Sequence, residues 1–529
     1  MQAIKTRKMD GLNLPSGLVG GAFSLTLSTI IVKILGLIYK IPLATILGDE
    51  GMGYFNSAYT VYAFFYLLCT AGVPKAVMIM VSEAKAKGRP IEESRVVKVA
   101  SMMFLSLGIV ITALFVIFSG WLSGLIGNSK SAATMIAIAP SIIFIALSGV
   151  IRGYLSANMR LLDIAVSQIV EGVGKLALGL VFATAGVRLS LPLEIISALT
   201  ILGVTFGAMF GLLYLLVCSK IRIAREKTGQ NSETEGRKRI ALRILSISIP
   251  ITVSAAIMSI TNIIDLGLIM RSLCEIGYSE SQASALYGNY TTLAVPMLNL
   301  AVSIITPISV AFLPAFTDCV VKMDRERLIS VQKSALEITA FLSAPMTVGL
   351  MLFAREILDL LFKNSETKTG AALLCILAPA ILFSSILVNV NTLLEACGKV
   401  KAPLISMIFG SIAKIIVSYL LITRSSLGIF GAPVGTVVSY GVALAVSIII
   451  YGRAFKQNIP VFSTNTLPFI LAFLSVGSTR AIFDTTSKGT LALIFSILVA
   501  ALIYLGLLAL ILYFKAPKMK KIANYTNSH

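Results

Sequence analysis

LPLEIISALTILGVTFGAMFGLLYLLV, residues 191 to 217, carries one charge, Glu194, and that lies at its start. A helix needs roughly 20 apolar residues to cross a bilayer, so this run spans with residues to spare. The segment that follows is of the opposite character. From Lys220 to Arg243 the chain is rich in Lys and Arg and is its longest polar stretch. A membrane span running into a basic linker decides the fold class, and similar apolar runs lie on both sides.

Fourteen such runs are legible, bounded by Gly, Pro or charge: approximately 18–47, 54–84, 96–117, 132–157, 164–185, 191–217, 241–270, 283–316, 328–353, 371–396, 404–422, 429–451, 467–483 and 491–514. Composition agrees. Of 529 residues 57% are hydrophobic and 13% charged, about half the charge of a soluble domain, and mean hydropathy is +0.92. The expected fold is therefore an all-α integral membrane protein of about 14 transmembrane helices, with no room for a separate catalytic domain. Residues 1–219 form an amino-terminal six-helix lobe, 220–242 a basic cytoplasmic linker, 243–456 a carboxy-terminal six-helix lobe, and 457–529 two additional helices and a basic tail.

Charge sets the orientation. The net charge of +20 is dispersed through short loops, which argues against a nucleic-acid partner and for topology. With a cytoplasmic amino terminus, about 27 of the 44 Lys and Arg fall in cytoplasmic segments and about 9 in external ones, the bias the positive-inside rule demands. Both termini are then cytoplasmic. Lys5, Arg7 and Lys8 precede a retained first helix rather than a cleaved leader, since Lys33 and Lys40 interrupt the run. The six cysteines show no metal or redox spacing and read as reduced core residues. The one histidine is His529, and neither a nucleophile elbow nor a phosphate-binding loop is present. An enzyme, a metal site and a cofactor are not expected.

The two lobes read as a parallel repeat. Ala139-Pro140, Ile142 and Phe144 recur 239 residues later as Ala378-Pro379, Ile381 and Phe383, and the same shift pairs Leu155 with Leu394, Ser167 with Ser406 and Lys175 with Lys414.

Charges at membrane depth are costly and face a cavity or a partner. Lys33 and Lys40 are seven apart with Gly36 between them, which sets both ammonium groups on one helix face. A cationic stripe suits an anionic headgroup; snorkelling to an interface or pairing with a carboxylate is the alternative. Lys75 follows Gly72-Val73-Pro74, where proline removes a backbone hydrogen bond. Gly36, Pro42, Gly72 and Pro74 are accordingly the candidate hinges. Arg152, near a cytoplasmic helix end, is a phosphate ligand or an interfacial anchor. Glu171 and Lys175 have the spacing of an intrahelical ion pair. Asp265, with Asn262 one turn before it and no cation within four residues, is the candidate coupling-ion site; the alternative is a pair with a lysine from another helix, for which Lys33 or Lys40 would serve. Glu337 and Glu395 pose the same question more weakly.

Several ordered motifs carry a family resemblance: Lys33-Ile-Leu-Gly36 into Tyr39-Lys40-Ile41-Pro42-Leu43; Gly51-Met52-Gly53-Tyr54; Gly72-Val73-Pro74-Lys75-Ala76 into Ser82-Glu83; Arg152-Gly153-Tyr154; Ser167-Gln168 with Glu171; Tyr287-Gly288; Leu313-Pro314; and Gly431-Ala432-Pro433 with Gly435-Thr436. In these the chain resembles the polysaccharide-transporter branch of the multidrug/oligosaccharidyl-lipid/polysaccharide exporter superfamily, in the group of stage V sporulation protein B and Gram-positive lipid II flippases. The resemblance implies two six-helix lobes around a central cavity in a bacterial cytoplasmic membrane. It also implies outward transfer of an undecaprenyl-pyrophosphate-linked oligosaccharide by alternating access, with lipid II for peptidoglycan synthesis as the leading cargo. Lys33, Lys40, Lys75 and Arg152 would bind the pyrophosphate, a cation or the membrane potential would drive the cycle, and membrane lipids and cell-wall synthesis proteins would be the neighbours. Other readings are a flippase for a capsule, teichuronic acid or spore cortex unit, a cation-coupled drug exporter, and a non-transporting cell-wall scaffold.

Overall fold

The computed structural model describes residues 16–219, 236–362, 366–399, 401–424, 427–455, 461–485 and 489–526. Lys5, Arg7 and Lys8, most of the basic linker (220–235) and the side chains of the basic tail lie outside the described residues. Helices account for nearly all that is described. The first half runs α1 (Ser16–Thr70), α2 (Val73–Ala86), α3 (Pro90–Ile117), α4 (Ser119–Leu125), α5 (Ala132–Ile138), α6 (Ser141–Ala157), α7 (Leu161–Arg188) and α8 (Leu193–Ser219). The second runs α9 (Arg237–Glu275), α10 (Glu280–Asn289), a π-helical turn (Tyr290–Ala294), α11 (Val295–Ala311), α12 (Leu313–Val321), α13 (Arg325–Leu352), α14 (Ala354–Leu361), α15 (Thr367–Leu377) and α16 (Pro379–Ala396). It ends with α17 (Ala402–Arg424), α18 (Gly431–Phe455), α19 (Val461–Thr485) and α20 (Thr490–Thr526).

Helix is what these apolar runs must form, because lipid offers no partner to a backbone N–H or C=O. Among the described residues eleven segments are long and apolar enough to cross, and twelve if the bent pair Ser129–Ile138 and Ser141–Ala157 is one span. One of the eleven, Ile31–Ala86, has 56 residues, about 84 Å of helix and so two passes. With that division and with the 39-residue α9, the helices supply the about 14 spans expected. This is a multi-pass membrane protein.

The chain changes direction where the backbone demands it. In α1 the non-helical residue is Gly48, at φ 62° and ψ −179°, a conformation that a side chain disfavours. The helix runs on through Gly36 and Pro42, so its break falls later than those candidate hinges. Between α1 and α2 the break does fall at Gly72, and Pro74 occupies the first turn of α2, where its missing N–H costs nothing.

The helices assort into two compact units that do not follow the halves of the sequence. One holds the chain up to Tyr39, Val61–Gly120 and Ala132–Ser259; the other holds Lys40–Thr60, Trp121–Ser131 and everything from Ile260 on. In the first unit α7 and α8 approach through glycines. A Cβ on Gly203 would stand 2.6 Å from the Gly179 Cα, and one on Gly207 would stand 2.6 Å from the Glu171 carbonyl oxygen. Small residues every fourth position let two backbones touch, the main source of helix adhesion where lipid is as apolar as leucine. Ile151, Leu155, Ile164, Leu212 and Leu215 form a core between α6, α7 and α8. In the second unit one core joins α12, α13, α16 and α18 around Phe316, Leu336, Leu394 and Tyr451, and another joins α13, α19 and α20 around Phe353, Ala472 and Tyr504. All six cysteines are free thiols, Cys69 and Cys319 being buried.

Candidate functional site

In the first unit, the polar groups at membrane depth converge on the contact of α6 with α7. Arg152 projects from α6 and its Nη2 lies 2.8 Å from Glu171 Oε2 of α7, with the arginine side chain 12% exposed. Tyr66 lies close to the guanidinium. Glu171, expected to pair with Lys175 along its own helix, thus receives an arginine from another. One turn on, the Lys175 ammonium sits 5.4 Å from the centre of the Tyr39 ring, and the Tyr39 hydroxyl donates to the Thr200 carbonyl at 3.2 Å. A cation over an aromatic face is held by the ring quadrupole, most strongly when dry.

Lys33 and Lys75 belong to the same unit and are both exposed. Lys75 follows the α1–α2 break, and no hydrogen bond or ion pair engages it among the described residues. Gly72 is fixed by close approach, since a Cβ there would stand 2.3 Å from the Ser248 carbonyl oxygen of α9. Further along α2, Glu83 takes Lys87 at 2.6 Å and is also bridged by Arg243 of α9.

Lys40 belongs to the second unit. Its ammonium donates to the Thr291 carbonyl at 3.0 Å and to Asn56 Oδ1 at 3.4 Å, while Asn56 Nδ2 donates to Thr292 Oγ1 at 2.8 Å. Thr291 and Thr292 lie in the π-helical turn Tyr290–Ala294, the kind of local widening that recurs where helices carry function.

Asp265 of α9 meets Lys414 of α17, with Oδ2 and Nζ 2.8 Å apart and side chains 11% and 15% exposed. Its other oxygen, Oδ1, is buried without a hydrogen-bond partner. Asn262 is exposed, and no hydrogen bond ties it to Asp265 among the described residues. The carboxylate read as a site for a free cation therefore holds the chain's own ammonium group. Tyr290 stands beside this pair and shares a 3.1 Å hydrogen bond with Thr436.

Lys40 is thus joined to the π-helical turn, Arg152 to Glu171 and Asp265 to Lys414. Sequence reasoning missed Lys414, Tyr39, Tyr66 and Asn56 as site neighbours. A signal existed for Lys414, which the 239-residue shift matches to Lys175.

Comparison with known proteins fits this fold. The sequence profile of the family described as "polysaccharide biosynthesis protein" matches residues 18–320, more than half of the chain. The chain belongs to the polysaccharide biosynthesis protein family. A second profile, MatE, matches residues 290–420 of this family member. Stage V sporulation protein B of Bacillus subtilis (strain 168) is 26% identical over 423 residues, covering 79% of this chain and 80% of that protein. The lipid II flippase MurJ of the same organism is 24% identical over 467 residues, 83% of each. A solved structure of a lipid II flippase MurJ in an inward closed conformation superposes with a TM-score of 0.68 at 17% identity, covering 94% of this chain and 99% of that one.

Proposed function

We propose that this member of the polysaccharide biosynthesis protein family is a flippase. It carries an undecaprenyl-pyrophosphate-linked oligosaccharide, lipid II foremost, outward across the bacterial cytoplasmic membrane by alternating access. The observation that carries the reading is the distribution of charge at membrane depth. The carboxylates of Asp265 and Glu171 are each matched by a cation from another helix, and in the sequence basic residues outnumber acidic ones within the apolar runs, Lys33, Lys40 and Lys75 among them. An anionic cargo is favoured at such a surface and an organic cation is not.

In this mechanism Lys33, Lys40 and Lys75 attract the pyrophosphate. Lys40 exchanges neutral acceptors, Asn56 and the Thr291 carbonyl, for a charged one, which strengthens each hydrogen bond roughly two-fold. Arg152 assists at the cytoplasmic mouth once it releases Glu171. The membrane potential resets the cycle: it is worth about 2.3 kcal/mol per charge per 100 mV. It drives an anionic cargo outward and then draws the emptied, lysine-rich site back inward. Since Lys414 supplies the cation at Asp265, no free metal cation is needed there.

The test is depletion of the native lipid II flippase in a bacterium carrying this gene, reading the external accessibility of labelled lipid II. Restored accessibility supports the cargo; its absence with the protein present in the membrane refutes lipid II. The similarity to stage V sporulation protein B favours a second reading, a lipid-linked glycan used in sporulation. That reading predicts rescue of spore formation in a strain lacking the sporulation protein.

A further inference from the structure

Tyr290–Ala294 is the one π-helical stretch among the described residues, and the residue that decides its hydrogen bonds is Pro296. The Val295 N–H donates to the Tyr290 carbonyl, five residues back. An α-helix would give that N–H to Thr291, four residues back. In the wider register the Thr291 carbonyl looks instead to residue 296, which is proline and has no N–H. The chain thus withdraws both backbone donors from one carbonyl.

Lys40 supplies the donor. Its ammonium lies 3.0 Å from the Thr291 carbonyl oxygen. Asn56 ties it to the next residue of the turn, accepting from Lys40 at 3.4 Å and donating to Thr292 Oγ1 at 2.8 Å. Thr292 is buried and Thr291 half-buried, where a carbonyl without a donor is costly. The same replacement occurs at Pro345 of α13, which leaves the Phe341 carbonyl four residues back without its helical donor; the Tyr504 hydroxyl donates to it at 3.1 Å. The two donors differ in charge. A neutral phenol has no reason to leave, whereas an ammonium group is drawn to an anion, whose hydrogen bonds to it are about twice as strong as those of a carbonyl.

We infer that Pro296 is the positioning residue of the cargo lysine and that the π-helical turn is what the cargo moves. The proline keeps the carbonyl open and the carbonyl holds the ammonium. When an anion draws the ammonium away, Thr291 recaptures the Val295 N–H, the Tyr290 carbonyl takes the Ala294 N–H, and the widening shifts towards α10. Tyr290 turns with it, and its hydroxyl shares a 3.1 Å hydrogen bond with Thr436 of α18. The inference rests on Lys40 as a ligand of the cargo.

Hydrogen exchange of the full chain in lipid nanodiscs, read by mass spectrometry on peptides covering residues 290–295, tests this. Lys40→Met should speed exchange of the turn about ten-fold, since the Val295 N–H is then shared between two carbonyls. In a Pro296→Ala background, where the backbone donor is restored, the same substitution should change exchange by less than about two-fold. Undecaprenyl pyrophosphate should speed exchange in the wild-type chain and not in Pro296→Ala, a readout that needs no variant of Lys40 should Lys40→Met fail to fold. An equal effect of Lys40→Met in both backgrounds, or an equal acceleration of both by undecaprenyl pyrophosphate, would overturn the proposal. Rescue by Pro296→Ala with no response to undecaprenyl pyrophosphate would uphold the positioning and overturn the cargo assigned to Lys40, so the two claims fail separately.

Discussion

Lys175 and Lys414 occupy matching places 239 residues apart, on α7 and α17, and meet different partners. Lys175 lies over the Tyr39 ring at 5.4 Å; Lys414 lies 2.8 Å from a carboxylate oxygen of Asp265. The helices bearing them pack alike, α7 against glycines of α8, and α17 against α18, where a Cβ on Gly410 would stand 2.6 Å from the Ser439 carbonyl oxygen. One scaffold therefore carries two electrostatic solutions. A quadrupole holds a cation without cancelling its charge, while a carboxylate cancels it and makes both partners dependent on one another. The comparison sets an aromatic ring under the lysine of the first repeat and a carboxylate beside the lysine of the second.

The sharpest way to break this comparison is to remove one member of the neutral pair. Asp265→Ala or Lys414→Ala leaves a charge in a largely buried position and should cost about 3 kcal/mol or more. Asp265→Leu with Lys414→Met should recover most of that loss. Thermal unfolding of the purified variants in detergent measures all three, and strict additivity would show that the pair is not coupled. Glu171→Gln, which takes the charged partner from Arg152, should destabilise by about 2 kcal/mol in the same assay. Tyr39→Phe keeps the ring under Lys175 and removes only the hydrogen bond to Thr200, so a loss of about 1 kcal/mol is expected. Tyr39→Leu should lose more, because the cation–π contact goes as well. Smallest of all should be the effect of the external cation. With Lys414 in place at Asp265, replacing sodium by potassium should change flipping in vesicles by less than about two-fold, whereas collapsing the membrane potential should slow it markedly.

The spans were legible because a bilayer imposes one length and one composition on every crossing, which is why the runs 191–217 and 491–514 could be marked without neighbours. The packing of α7 on α8 was not read from the chain, although the four-residue spacing of Gly203, Gly207 and Gly211 is there to be seen. The compact units were less legible, since Lys40–Thr60 and Trp121–Ser131 join the second unit through contacts with residues far along the chain. The bend of α1 shows the same limit. Proline marks a helix that has lost a hydrogen bond, as at Pro42, yet the break comes at Gly48, where the local φ requires glycine. Asp265 could be recognised as an expensive group, but its partner is on α17, and spacing within one helix says nothing about a residue on another. Glu171 illustrates this directly, with Lys175 in reach by spacing and Arg152 of α6 in contact with it.

The account stands on the lysines of α1 as the anion site. The decisive measurement compares the wild-type chain with Lys33→Gln plus Lys40→Gln in cells depleted of their own lipid II flippase, reading external accessibility of labelled lipid II at matched protein levels in the membrane. The account predicts that the wild-type chain restores accessibility and that the double variant does not. Full restoration by the double variant would contradict it.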